Sequence, residues 1–373
     1  MAPKRKRKQP DDAETMPSKH QSKAPDDAES TPRKKLNHKM PVPLAGFDEM
    51  GRKLLCSLGF PVAFWKLLEI LMTLVPIIPD LDFVEFFCGA KAVTFALERL
   101  GLRGLGYDKI HDRSHQNMMS GLGFCCALCW LLRVTPDDGF VWEGTLCSSW
   151  IWLSRGTTRR TRALPRGDQS SSSVVTGNAL AARSAIIIAI CYARGLSWVL
   201  EQPDSSLMKQ HPAMACVRRC MRAHHETWWQ ITTFMGAFNG PSTKPHSLYS
   251  NSPIIEALRR KHPGGFSRVE TAKKSRDSRG RHVVTGGKDL TDSQEYTKEF
   301  GESVAEAFVM RRFDEDLVTS MHLYESDSEN DDGQDNQEGA SDADSDDNVW
   351  EDAWLDDALE VAQRLSAANV DTA

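Results

Sequence analysis

The 373-residue sequence contains no run of about 20 uninterrupted apolar residues, the length a membrane-spanning helix needs. Its longest apolar stretch, Leu54 to Ile78, is broken by Lys66, Glu69 and two prolines, and no membrane association is expected. An apolar leader is lacking too; the chain opens on MAPKRKRK. Nor is there an even complement of cysteines. Nine are present, and Cys125, Cys126 and Cys129 sit inside an apolar run. These features predict a reduced compartment, where cysteine is a small hydrophobe or a reactive thiol rather than a disulfide partner. A metal-binding set is missing as well. Cys216, Cys220, His224 and His225 fall at spacings of four and five, but one helix offers at most two or three donors, and Arg218, Arg219 and Arg222 interleave. No metal is expected.

What the sequence does have is segregated charge. Residues 1–40 carry eleven Lys and Arg against six acids, and residues 325–373 carry seventeen acids against Arg364 alone. With a formal net charge of -5 overall, residues 41–324 are left with +6. The head repeats Pro10-Asp11-Asp12-Ala13-Glu14 as Pro25-Asp26-Asp27-Ala28-Glu29. It has too little apolar surface to offset its conformational entropy, so residues 1–40 are expected to be disordered. The run Lys4-Arg5-Lys6-Arg7-Lys8 resembles a nuclear-import motif and points to the nucleus. Residues 321–373 are expected to be a disordered acidic tail holding one short amphipathic helix, with Trp350, Trp354 and Leu355 on one face. That helix would dock in a protein partner's groove or fray in solvent, and the acids around it would compete for basic surface as a nucleic-acid mimic.

Residues 41–320 alternate short apolar runs with longer amphipathic ones. Strands are predicted at Leu81–Phe87, Gly104–Tyr107, Phe140–Trp142, Ser197–Leu200, Trp228–Phe234 and Leu248–Tyr249, and helices at Ala92–Leu100 and Asn178–Arg194, closed by Gly101 and Gly195. This alternation predicts an α/β domain, doubly wound on a mostly parallel sheet. Ligands of such sheets sit at the strands' carboxyl ends. Glu85, Asp108, Cys147 and Glu201 fall at or near those ends. Phe87-Cys88-Gly89-Ala90 turns into a helix, whose free N–H groups suit an anionic or carboxylate-bearing ligand. Asp108 is placed to accept the two hydroxyls of a ribose. Cys147 opens Cys147-Ser148-Ser149-Trp150-Ile151-Trp152 and a basic loop holding Arg155, Arg159, Arg160 and Arg162. It is either a nucleophile aimed at a base or a buried thiol beside a solvated charge run.

The stretch Val84-Glu85-Phe86-Phe87-Cys88-Gly89-Ala90-Lys91-Ala92 with the helix that follows resembles the opening motif of the DNA (cytosine-5) methyltransferases. Thr145-Leu146-Cys147 falls where that family has its Pro-Pro-Cys nucleophile loop, and Leu200-Glu201-Gln202-Pro203 where it has a Glu-Asn-Val strand end. Phe234-Met235-Gly236 through Lys244-Pro245-His246-Ser247-Leu248-Tyr249-Ser250-Asn251 and Tyr296-Thr297-Lys298-Glu299-Phe300-Gly301 resemble its late motifs, in the same order. The resemblance implies a Rossmann-like methyltransferase domain using S-adenosylmethionine. Cys147 would attack C6 of a base in DNA or RNA, and Glu201 would hold that base. Glu85, Phe87, Gly89 and Asp108 would line the cofactor pocket. Arg155, Arg159, Arg160 and Arg162 would grip phosphates, and Trp150 and Trp152 would stack on bases. Departures are Lys91 and Ala92 at two of the motif's glycines, Leu146 before the cysteine, and only about 50 residues between Asn251 and the closing motif. They keep a second reading open: an inactive methyltransferase fold, of host or mobile-element origin, acting as a nucleic-acid-binding or scaffold module.

Overall fold

The computed structural model describes residues 47, 49–74, 78–262, 264, 272–276, 280, 282–287, 289, 292–313, 350 and 353–370. The basic head, with the Lys4–Lys8 run, and the acidic stretch of 314–349 lie outside the described residues.

Six strands form one sheet: β1 (Phe83–Phe86), β2 (Gly104–Tyr107), β3 (Phe140–Glu143), β4 (Ser197–Pro203), β5 (Trp229–Phe234) and β6 (Pro245–Ser250), in the order β2-β1-β3-β4-β6-β5. The first four are mutually parallel. Strand β6 is inserted between β4 and β5 and runs antiparallel to both. The strands are apolar on both sides because both faces are covered. Val84, Phe86, Val141, Trp198 and Leu200 belong to one buried cluster, and Phe83, Phe140, Trp142 and Val199 to another, as a period of two requires.

The first face is covered by α4 (Gly121–Arg133), α6 (Ser172–Ala193) and α7 (Pro212–Ala223), backed by α1 (Glu49–Ser57) and α2 (Val62–Leu74). The second is covered by α3 (Ala92–Arg99), α8 (Lys298–Phe313) and a 3-10 turn at Pro253–Leu258. One further helical turn, α5 (Arg155–Thr158), lies in the loop after β3. Gly301 lets α8 cross the start of α3 closely, since a Cβ there would lie 2.2 Å from the Ala92 carbonyl oxygen. Helix α6 is long and apolar enough to cross a membrane, but it is the central helix of the fold and mostly buried.

The last helix, α9 (Ala353–Val370), corrects the expectation of a free tail. It packs on α2 and α4. Trp350 is buried, its indole N–H donates to the Leu58 carbonyl at 2.9 Å, and its ring meets Phe60 at 4.4 Å. Leu355, Ala358 and Ala362 are buried beside it. The amphipathic face read from the sequence therefore closes on this chain's own α2 and α4. The side chain of Trp354 is not among the described ones. A separate antiparallel ribbon, β7 (Ala272–Arg276) with β8 (His282–Gly286), stands between the 3-10 turn and α8.

Candidate active site

The chain leaves β1 towards β2 on one side and returns to β3 on the other, so β1 and β3 flank a topological switch point. A cleft of about 450 Å³ opens there. Phe87, Gly89, Asp108, Cys147 and Glu201, five of the six residues proposed for catalysis or cofactor binding, line it together with Tyr107, Lys109, Asn117, Met119, Leu146, Ile151, Lys244, His246 and Tyr296.

Glu85 does not join them. It points from the middle of β1 at the first turn of α3, where one carboxylate oxygen accepts the Thr94 N–H at 2.7 Å and the Thr94 hydroxyl at 2.5 Å. Burial pushes its carboxyl up to about 7, against the pull of those bonds. Alternation along β1 sends Glu85 to the α3 face, so it anchors the helix instead of lining the cleft.

The turn after β1 is built on left-handed residues: Phe87 at φ 58°, Gly89 at φ 48° and Lys91 at φ 60°. At position 89 a side chain would be strained in φ and would project into open space at the cleft. Asp108 sits opposite and accepts the Gly89 N–H at 3.2 Å and the Ile110 N–H at 3.1 Å. Lys91 lies outside the cleft lining, so the lysine in the glycine position does not obstruct it.

The Cys147 loop is held from below. Gln202 Nε2 donates to the Thr145 carbonyl at 2.6 Å, and Ser206 in turn donates to Gln202 Oε1 at 2.9 Å. The Thr145 hydroxyl meets Ser184 Oγ at 2.7 Å. These bonds fix the Thr145 backbone and side chain two residues before Cys147. Burial pushes the Cys147 thiol up, Glu201 adds to the rise, and Lys244 opposes it.

Glu201 is buried, and both its oxygens are engaged: Oε1 with His246 Nδ1, and Oε2 with the Tyr296 hydroxyl, which donates at 2.9 Å. Burial alone would raise its pKa, but the interactions with His246 and the hydrogen bond from Tyr296 win and hold it below the ordinary carboxylate range. A site role for His246 is not apparent from the sequence, while Tyr296 opens the closing motif that the resemblance returns to the cofactor pocket. The place of His246 depends on β6 running antiparallel, which brings its first residues beside the end of β4, with His246 opposite Pro203, whereas Tyr296 comes from the segment that leads into α8.

Arg155, Arg159, Arg160 and Arg162 do not share one role. Arg160 is buried, its guanidinium donating to the Ser149 carbonyl at 3.0 Å, the Asn178 side chain at 2.8 Å and the Val174 carbonyl at 3.1 Å. Burial lowers its pKa to about 10. Trp150 is also fully buried. Neither reaches nucleic acid: a side chain with every donor turned inward cannot also grip a phosphate. Arg155 is half-buried, while Arg159 and Arg162 are exposed, and Trp152 is 64% exposed. A stronger basic segment is hidden within the modest net charge of the chain's middle. Residues 259–288 hold ten Lys and Arg against two acids, and β7 and β8 lie within them. Lys273 and Arg276 of β7 are exposed.

Cys216 and Cys220 pack α7 against the end of α1, with Cys220 Sγ 3.0 Å from Ser57 Oγ. No group of three or more potential metal-binding side chains occurs among the described residues. In comparisons with known proteins, no family model matches the chain and no curated protein matches it.

Proposed function

We propose that this chain is an S-adenosylmethionine-dependent enzyme of Rossmann-like fold that methylates a nucleic-acid base, with Cys147 as nucleophile. A single observation carries the reading. The residues drawn from separate motifs by resemblance, Phe87, Gly89, Asp108, Cys147 and Glu201, share one cleft at the switch point of the sheet.

The residues present fit the cofactor. About 450 Å³ lies within the range of small-molecule sites. Open space faces Gly89, and the Asp108 carboxylate accepts two backbone N–H groups of the roughly four hydrogen bonds it can take, leaving capacity for ribose hydroxyls. When bound, S-adenosylmethionine supplies an electrophilic methyl group. Cys147, on a loop pinned by Gln202, presents its sulfur to the base. Met119, Ile151 and Leu180 give the cleft an apolar wall that limits water. A base inside a duplex must leave the stack to reach such a site. Exposed Arg159 and Arg162 and the basic segment 259–288 favour a polyanionic substrate over a free nucleoside.

Calorimetric titration of the full chain with S-adenosylmethionine tests this. Micromolar binding that disappears in Asp108→Ala supports the enzyme. A folded chain that binds nucleic acid but no cofactor replaces it with the inactive binding module.

A further inference from the structure

We propose that His246 is the base that activates Cys147, and that Glu201 acts through His246 as a positioning residue; the inference rests on Cys147 being the nucleophile. The resemblance would have Glu201 hold the base directly. Instead one of its oxygens meets His246 and the other accepts from Tyr296. An ionised carboxylate at Nδ1 fixes the hydrogen on that nitrogen and leaves the lone pair on Nε2. His246 is 5% exposed and lines the cleft, and among the described residues its Nε2 has no hydrogen-bond partner. A buried imidazole nitrogen in that state is available to a proton from the cleft.

Cys147 needs such a base. Its thiol is raised by burial and by the Glu201 charge, so at neutral pH it keeps its proton. The other groups around the pair do not serve. Asp108 holds the Gly89 and Ile110 N–H groups and its remaining capacity is assigned to the cofactor's ribose, Lys244 and Lys109 are cations, and burial drives the Tyr296 phenol well above its ordinary range. Glu295 lines the cleft but is exposed. Nucleophile, base and orienting carboxylate thus come from the loop after β3, from β6 and from β4. In the step, the proton on Cys147 Sγ passes to His246 Nε2 while the S–H electron pair stays on sulfur. A thiolate and an imidazolium result, and the imidazolium is stabilised through Nδ1–H by Glu201.

The test needs neither cofactor nor nucleic acid, so it is independent of whether the enzyme reading survives. Iodoacetamide labelling of Cys147 in the full chain is followed by peptide mass spectrometry from about pH 5 to 9, with Cys56 as an internal control. His246→Gln is expected to slow Cys147 labelling at neutral pH about tenfold and to shift its pH profile upward, leaving Cys56 unchanged. Glu201→Gln offers an N–H to Nδ1, reverses the tautomer, and is expected to give the same shift at nearly constant shape. Added imidazole should restore labelling in a folded His246→Gly chain, an effect that a merely structural role would not produce. Unchanged Cys147 profiles in both His246→Gln and Glu201→Gln overturn the relay. Loss of cofactor binding with an intact relay overturns only the methyl-transfer reading.

Discussion

The Arg160 guanidinium carbon lies 3.4 Å from the centroid of the Trp150 ring, with both side chains buried beneath the loop that follows Cys147. The aromatic and basic character of this stretch is therefore divided. One Trp–Arg pair forms the loop's internal post, and the exposed Trp152, Arg159 and Arg162 remain outside. Arg160→Ala strands the Asn178 side chain and the Ser149 and Val174 carbonyls, each worth roughly 1.5–3 kcal/mol when bonded to a charged donor. The expected result is a lower urea midpoint, with total destabilisation of at least about 2 kcal/mol. A midpoint within error of the parent would contradict this role.

Arg159→Ala with Arg162→Ala should behave in the opposite way. Stability stays close to the parent's, because both side chains are exposed. Nucleic-acid affinity is expected to fall, and the slope of log affinity against log salt to flatten by about one for each phosphate no longer neutralised. An unchanged slope assigns phosphate binding to residues 259–288 instead.

Trp350→Ala tests the docking of α9. Removing a buried tryptophan and its bond to the Leu58 carbonyl is expected to cost about 3–5 kcal/mol by denaturant unfolding. A loss below about 1 kcal/mol would mean that α9 is not part of the cooperative unit.

Glu143, at the end of β3, is buried, and burial pushes its carboxyl up to about 8 from an ordinary 4.5. Between those values the folded chain binds a proton that the unfolded chain has released. The stabilisation is thus complete below about pH 4.5 and is lost as pH rises through about 8. Glu143→Gln removes this titration. Its melting temperature should exceed the parent's by several degrees at about pH 8.5 and converge with it near pH 5. Parallel curves would refute the assignment.

Lys91→Gly replaces a non-glycine residue at φ 60° outside the cleft lining. Relief of left-handed strain is worth roughly 1 kcal/mol, offset in part by the greater entropy of glycine in the unfolded chain. Cofactor affinity is expected to be unchanged, measured by the same calorimetry. A marked gain in affinity would show that the lysine does reach the site.

Several features are legible in the amino-acid order alone. Gly101 and Gly195 end their helices at φ 82° and 67°, as their positions predict, because a left-handed C-terminus favours glycine whatever surrounds it. Apolar runs mark the strands, and the predicted bounds of β2 match the observed ones. Helix α6 begins at Ser172, six residues before the predicted start, because its serine-rich first turns carry little apolar pattern. The positions of Asp108, Cys147 and Glu201 near strand ends suffice to predict a shared cleft, since parallel strands bring their carboxyl ends to one edge.

Side-chain direction and partner choice are decided elsewhere. Glu85 and Glu201 are both acids near strand ends. One is turned to α3 by alternation along β1, and the other is tied to His246 only because β6 runs antiparallel beside β4. Arg160 and Arg159 are neighbours in the chain. One is buried and the other exposed because Trp150, Asn178 and the α6 backbone converge on the first alone. Amphipathic spacing establishes that the segment from Trp350 seeks an apolar groove. That the groove is this chain's own α2 and α4 follows from a surface assembled by distant residues. Local pattern determined where chain elements begin, end and turn, because those depend on backbone preference and neighbouring residues. Which groups meet, and hence which can exchange a proton, only the tertiary structure decided, because that depends on strand direction and packing across the whole fold.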